Sequence, residues 1–198
     1  MYRKGIAIIC LLFSACCVCG QQGKDYFPLF TSVASSALSS VTSQKQIAFD
    51  SPAKPLSLFI FLSPECPLCQ NYSTVLRQLK QQYEGQVNLY GVVPGNTYTI
   101  DEILAFEKKY ETGFNLFIDK SQKLTKYLRA SVTPQAIVLN SAGTMVYTGA
   151  IDDWVQALGK KRARASQHYL EDAIQQSLQS GEVKIRQTKP VGCKINDY

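Results

Sequence analysis

Residues 56–72 read "LSLFIFLSPECPLCQNY". The first seven form a nearly unbroken apolar run set between Pro55 and Pro64, the pattern of a central strand buried on both faces. Immediately after it, Leu68, Tyr72, Val75, Leu76, Leu79 and Tyr83 share one helical stripe that stops at Gly85. Cys66 and Cys69 therefore stand where a strand hands over to a helix. Unpaired N–H groups and the positive end of the helix dipole stabilise a thiolate at such a place. Cys66 leads the helix and is expected to be the more exposed sulfur, hence the nucleophile. Cys69, one turn inside, is placed to attack a mixed disulfide on Cys66 and release the substrate. Pro67 costs little in a first helical turn and stiffens the loop.

Outward from this pair the chain alternates. Strands are expected at 87–93 ("VNLYGVV") and 114–119 ("FNLFID"), separated by a helix over "TIDEILAFEKKYE" that starts at a Thr or Asp cap. A short helix follows in "SQKLTKYLRA", then a hairpin in "QAIVLNSAGTMVYTGAI" turning at residues 140–143. A last helix is expected over about 161–179, ending at Gly181, and a Ser-rich lead-in carries a short helix around 31–43. The order predicts an α/β fold, a central mixed sheet with helices on both faces. Its early strands are parallel through right-handed crossovers, and the hairpin supplies the antiparallel edge. The expected organisation is an export segment at 1–20, a lead-in at 21–50, one domain at 51–181 and a tail at 182–198.

With 198 residues, 45% of them hydrophobic, the chain holds one core and needs no disulfide scaffold. Its formal charge of +6 is spread out. The densest basic run, "GKKRARASQH" at 159–168, is read as the solvated end of a helix, and no aromatic-basic alternation points to nucleic acid. Arg3 and Lys4 precede an apolar stretch from Ile6 to about Cys19, a bacterial-type secretory signal too short to remain as a spanning helix. Two processing routes compete. Cleavage after Gly20 would free the chain into the periplasm. The lipoprotein route would read "LFSAC" as a lipobox, with Phe13 where Leu is preferred, and make Cys16 the lipid anchor. Cys10, Cys16, Cys17 and Cys19 lie in that segment, which leaves Cys66, Cys69 and Cys193 for the folded part. An odd thiol in an exported protein pairs between chains or stays reactive.

"SPECPLCQNY" together with "SVTPQAIVLN" resembles the thioredoxin-like superfamily, over roughly residues 50 to 180. "YTGAIDDW" and "PVGCKI" further resemble a redoxin-domain (alkyl hydroperoxide reductase/thiol-specific antioxidant-like) subgroup of exported bacterial proteins. The resemblance implies a cis proline at Pro134 facing the cysteines, and a Thr133 backbone offered to an extended substrate. It implies an exported thiol-disulfide oxidoreductase acting on protein disulfides, with the direction of electron flow open; as a reductant it would draw on an electron donor outside the cytoplasm, through a membrane-bound reductase. Glu65 and the Pro67–Leu68 dipeptide depart from the thioredoxin pattern. Glu65, if close, would oppose the Cys66 thiolate, and no relative's reduction potential carries over.

Other readings stay open. A peroxiredoxin-like peroxidase would use Ser63 to position peroxide beside Cys66, although Phe59 stands where that pattern has Pro. A copper or zinc carrier would add Cys193 to Cys66 and Cys69. His168, the single histidine, lacks co-ligands near it in sequence, and no metal is expected at the site. Cys193 is either a small hydrophobe tucking the tail onto the domain or a third thiol approaching Cys66. Asp152 and Asp153 are read as caps, with a proton acceptor for Cys69 as the alternative. No Gly-rich phosphate loop is present, so no organic cofactor is expected.

Overall fold

A computed structural model describes residues 26–46 and 54–196, the side chains of 26–30 excepted. The export segment and the lipid-anchor reading of Cys16 lie outside these residues. The expected mixed α/β sheet is present. Strands β1 (Ser39–Ser40), β2 (Leu56–Phe61), β3 (Val87–Pro94), β4 (Leu116–Asp119), β6 (Gln135–Asn140) and β7 (Met145–Gly149) form one sheet. Its order is β1-β4-β3-β2-β6-β7. The β2–β3 and β3–β4 pairs are parallel, and β2–β6 and β6–β7 are antiparallel.

Burial on both faces explains the continuous apolar reading of β2. Leu56, Leu58 and Ile60 face one core beneath helices α2 (Pro67–Gln82), α3 (Ile100–Tyr110) and α5 (Tyr169–Gln179). Phe59 and Phe61 face the other, under α1 (Tyr26–Ala37) and α4 (Lys123–Tyr127). In β6, Ala136 and Val138 alternate with Ile137 and Leu139 in the same way. Each fully buried Leu, Ile or Phe contributes about 1.5–3 kcal/mol, so these two strands bind the layers together. At the start of α3, Thr99 is the cap anticipated from sequence. Its hydroxyl accepts from the Glu102 N–H, and the Glu102 carboxylate accepts from the Thr99 N–H at 2.7 Å.

Two expectations are corrected here. The last helix begins at Tyr169, not near 161. The preceding basic run is a small two-stranded arm, β8 (Val155–Ala157) and β9 (Lys160–Lys161), turning at Gly159 with φ +78. Asp153 holds the following segment in a non-helical path by accepting from the Ser166 N–H, the Ser166 hydroxyl and the Gln167 N–H. These bonds hold its carboxyl down at about 2, the Ser166 hydroxyl contributing most. Helix α1 also lies earlier than the 31–43 expected from sequence.

The tail is built into the domain. Residues 186–188 run along β7, where the Thr148 N–H donates to Arg186 O at 3.0 Å and the Thr188 N–H to Thr148 O at 3.1 Å. The Thr188 hydroxyl accepts from the Ala150 N–H and bonds the Tyr147 hydroxyl at 2.7 Å. Gly149, at φ +149, permits this approach, because a Cβ there would lie 2.1 Å from Thr188 Oγ1. The chain then crosses to pair as β10 (Cys193–Lys194) with β5 (Val132–Thr133), antiparallel, Cys193 opposite Thr133.

Candidate active site

Strand β2 ends one residue before the site begins. Its sheet pairing continues to Leu62, whose N–H donates to Val92 O at 2.8 Å, and the turn 63–66 closes with the Cys66 N–H on Ser63 O at 3.1 Å. Cys66 is the N-cap residue of α2, in an extended conformation, and Pro67 follows as the first helical residue. Cys69 sits one turn inside. The Thr133–Pro134 peptide is cis, and the Thr133 carbonyl oxygen lies 3.2 Å from Cys66 Sγ. The sheet thus brings together Cys66, Cys69, Thr133 and Pro134 from two distant parts of the sequence.

The C-terminal strand adds a third sulfur. Cys193 Sγ stands 3.0 Å from Cys66 Sγ. The same strand changes the exposure expected for Cys66. Both active-site sulfurs are buried, Cys66 at 1% exposure and Cys69 at 0%, while Cys193 is only partly covered. Cys66 is enclosed because the tail lies across the Thr133 edge beside it, which no local sequence pattern signalled. Gly192 makes that approach feasible: a Cβ there would lie 2.1 Å from Thr133 O and 2.6 Å from its carbonyl carbon.

The electrostatics single out one thiolate. Cys66 is lowered from 9.0 to about 4, first by the Cys69 thiol donating to it, against the opposing effect of burial, with the Cys193 thiol and the Cys69 and Cys193 backbone amides adding to the lowering. Burial pushes Cys69 well above the ordinary thiol range, and the charge on Cys66 pushes the same way. Burial and the neighbouring Cys66 raise Cys193 to about 11. Neutral Cys69 and Cys193 therefore flank an ionised Cys66, with the Ser63 N–H donating to Cys69 Sγ at 3.4 Å. Glu65 is exposed and accepts from the Tyr98 hydroxyl at 3.5 Å.

Other candidates lie as follows. The Ser63 hydroxyl bonds Tyr98 Oη at 2.8 Å, and both line a cavity of about 320 Å³ with Cys66, Thr133 and Cys193. Tyr98 was not anticipated, and its only sequence signal is its position after the second long strand. Asp152 accepts from the Tyr72 hydroxyl and from the Trp154 N–H, so it serves α2 and its own turn rather than Cys69. Burial, together with the Asp152 carboxylate, drives the Tyr72 hydroxyl far above its ordinary range. His168 is exposed at the start of α5, away from the sulfurs. Among the described residues, no group of three or more His, Cys, Asp or Glu has an arrangement that could hold a metal ion. No helix among them is long and apolar enough to cross a membrane.

Residues 25–148 match the model of the AhpC/TSA family. The chain belongs to the AhpC/TSA family. This redoxin domain has solved structural relatives of thioredoxin-like fold. A hypothetical protein from Sinorhizobium meliloti 1021 is 25% identical, with TM-score 0.64 over 72% of this chain and 79% of that one. An uncharacterized conserved protein from Geobacillus kaustophilus is 18% identical, with TM-score 0.68 over 82% of this chain and 88% of that one. A secreted Mycobacterium tuberculosis disulfide oxidoreductase, described as homologous to E. coli DsbE, is 17% identical, with TM-score 0.50 over 58% and 82%. No curated protein is a significant match to the chain. Family and fold together establish a thiol-based redox protein.

Proposed function

We propose that this AhpC/TSA-family redoxin is an exported thiol-disulfide oxidoreductase working through Cys66 and Cys69. The supporting observation is the ionised Cys66, lowered to about 4 beside a cis Thr133–Pro134 bond and in contact with a neutral Cys69. The thiolate attacks a substrate disulfide, forming a Cys66 mixed disulfide and expelling one substrate thiolate. Cys69, once deprotonated, attacks Cys66 Sγ, expels the second substrate thiolate and leaves a Cys66–Cys69 disulfide. An external thiol donor returns both cysteines to the reduced form, and in the opposite direction the same couple oxidises substrate thiols. Protein disulfides outside the cytoplasm are the proposed substrates, with the export segment at residues 1–20 as the support for that location. Reduction of insulin disulfides in the presence of dithiothreitol tests the activity. The protein should exceed dithiothreitol alone, and Cys66→Ser should abolish the gain. A wild-type rate equal to the uncatalysed one would refute the reading.

A second reading draws on the enclosure of Cys66. With the tail in place, the cavity of about 320 Å³ beside the thiolate suits a small hydroperoxide better than a folded protein. Attack on the peroxide would give a Cys66 sulfenic acid and an alcohol, and a neighbouring thiol would then form a disulfide with loss of water. Peroxide consumption that disappears in Cys66→Ser while insulin reduction is absent would favour this reading.

A further inference from the structure

Cys66 is almost fully enclosed, and a sulfur of the chain's own tail already stands against it. Cys193 Sγ lies 3.0 Å from Cys66 Sγ, about 1 Å beyond a disulfide bond of about 2.05 Å. The position is constructed rather than incidental. Thr188 pins the tail to β7, Gly192 packs directly on the Thr133–Pro134 peptide, and β10 pairs with β5 in register. Beyond the cysteine, the Ile195 N–H donates to Ser131 O at 3.0 Å, and the Gln122 side-chain amide donates to Asn196 O at 2.8 Å. The strand is fixed on both sides of its thiol.

We infer that Cys193 is a third redox thiol of this site, the one that first resolves a mixed disulfide on Cys66. The inference rests on the thiol-disulfide reading above and deepens it: Cys193 takes the release step there given to Cys69, and Cys69 then receives the bond. The first step gives Cys66–S–S–R. The Cys193 thiolate then attacks Cys66 Sγ, forms the Cys66–Cys193 disulfide and expels R–S⁻, so one substrate disulfide is reduced and two protein thiols are oxidised. A thiolate of Cys69 next attacks Cys66 Sγ and expels Cys193, which moves the bond inward to Cys66–Cys69 with no net redox change.

The order of attack follows from access and charge. Cys69 is wholly enclosed, whereas Cys193 is partly exposed and lines the cavity beside Cys66. Burial and the neighbouring thiolate together hold Cys193 at about 11. Once Cys66 is in a mixed disulfide its charge is gone, and only the partial burial of Cys193 remains. Cys69 keeps its heavier burial. The strand also acts as a built-in competitor: β10 occupies the Thr133 edge, so an extended protein substrate must displace it to pair there.

The test treats the reduced, full chain with one equivalent of oxidised glutathione, quenches with acid over time and maps disulfides by peptide mass spectrometry. In Cys69→Ser, Cys66–glutathione should decay into Cys66–Cys193 at least ten-fold faster than it decays in Cys69→Ser/Cys193→Ser. Adding Gly192→Ala to Cys69→Ser keeps every remaining sulfur but displaces the strand, and should prolong the mixed disulfide. Equal lifetimes in the first two proteins, with Cys193 recovered as a free thiol, would overturn the role of Cys193. If Cys66 takes up no glutathione in any variant, the underlying thiol-disulfide reading fails, and this inference with it.

Discussion

Gly192→Ala probes the enclosure of Cys66 without touching a sulfur. The added Cβ would meet Thr133 O at 2.1 Å, Thr133 C at 2.6 Å and Pro134 N at 3.2 Å, all of them backbone atoms that cannot rotate aside. An ordinary contact requires the tail to retreat by about 1 Å or more, which breaks the β10–β5 register and withdraws Cys193 from Cys66. Overpacking of this kind costs about 1–3 kcal/mol. Charged entirely against the closed tail, at about 1.4 kcal/mol per factor of ten, it raises the open population about 5- to 150-fold. Alkylation by iodoacetamide at pH 7, read on the Cys66 peptide, reports that population, because Cys66 is ionised there while Cys69 and Cys193 are neutral. The variant should react about 5- to 150-fold faster than wild type. An unchanged rate would mean that the tail does not control access to Cys66, and the account of its enclosure would be wrong.

Other consequences are measurable. Because the folded pKa of Cys66 lies below its ordinary value, its stabilising contribution is full above about pH 9 and is lost as pH falls through about 4. The urea stability of wild type relative to Cys66→Ala should therefore fall between those limits, and a flat difference would refute the depressed thiol. Tyr72→Phe removes the hydroxyl bond to the Asp152 carboxylate and should cost about 1.5–3 kcal/mol in denaturant titrations; a loss below 0.5 kcal/mol would show that the bond carries little. Thr99→Ala opens the capping box of α3 and should cost about 1 kcal/mol, with Thr99→Ser recovering most of it in the same titration.

Particular residues show what the sequence could and could not reveal. The run 56–62 and the helical stripe behind Cys69 are local patterns, and both elements appear where their periodicity puts them. The Thr99 cap was equally readable, since donor and acceptor are three residues apart. The meeting of Cys66 with Thr133–Pro134 was anticipated from family resemblance, not from periodicity. The arm at 155–161 was hidden because its strands are very short and its basic residues fit an exposed helix end as well as an exposed hairpin. The tail was hidden more deeply. Cys193–Lys194 is a strand only because β5 offers it an edge, and Gly192 has meaning only against the Thr133 carbonyl. Cys66 was expected to be the more exposed sulfur of the pair, and the tail leaves both enclosed, at 1% and 0%.

The most direct test of the redox mechanism is a glutathione redox titration of the purified protein, with the state of Cys66, Cys69 and Cys193 mapped by mass spectrometry at each poise. The account predicts a reversible Cys66–Cys69 disulfide with one midpoint and Cys193 a free thiol at equilibrium. Failure of Cys66 and Cys69 to form a reversible bond at any poise would contradict it.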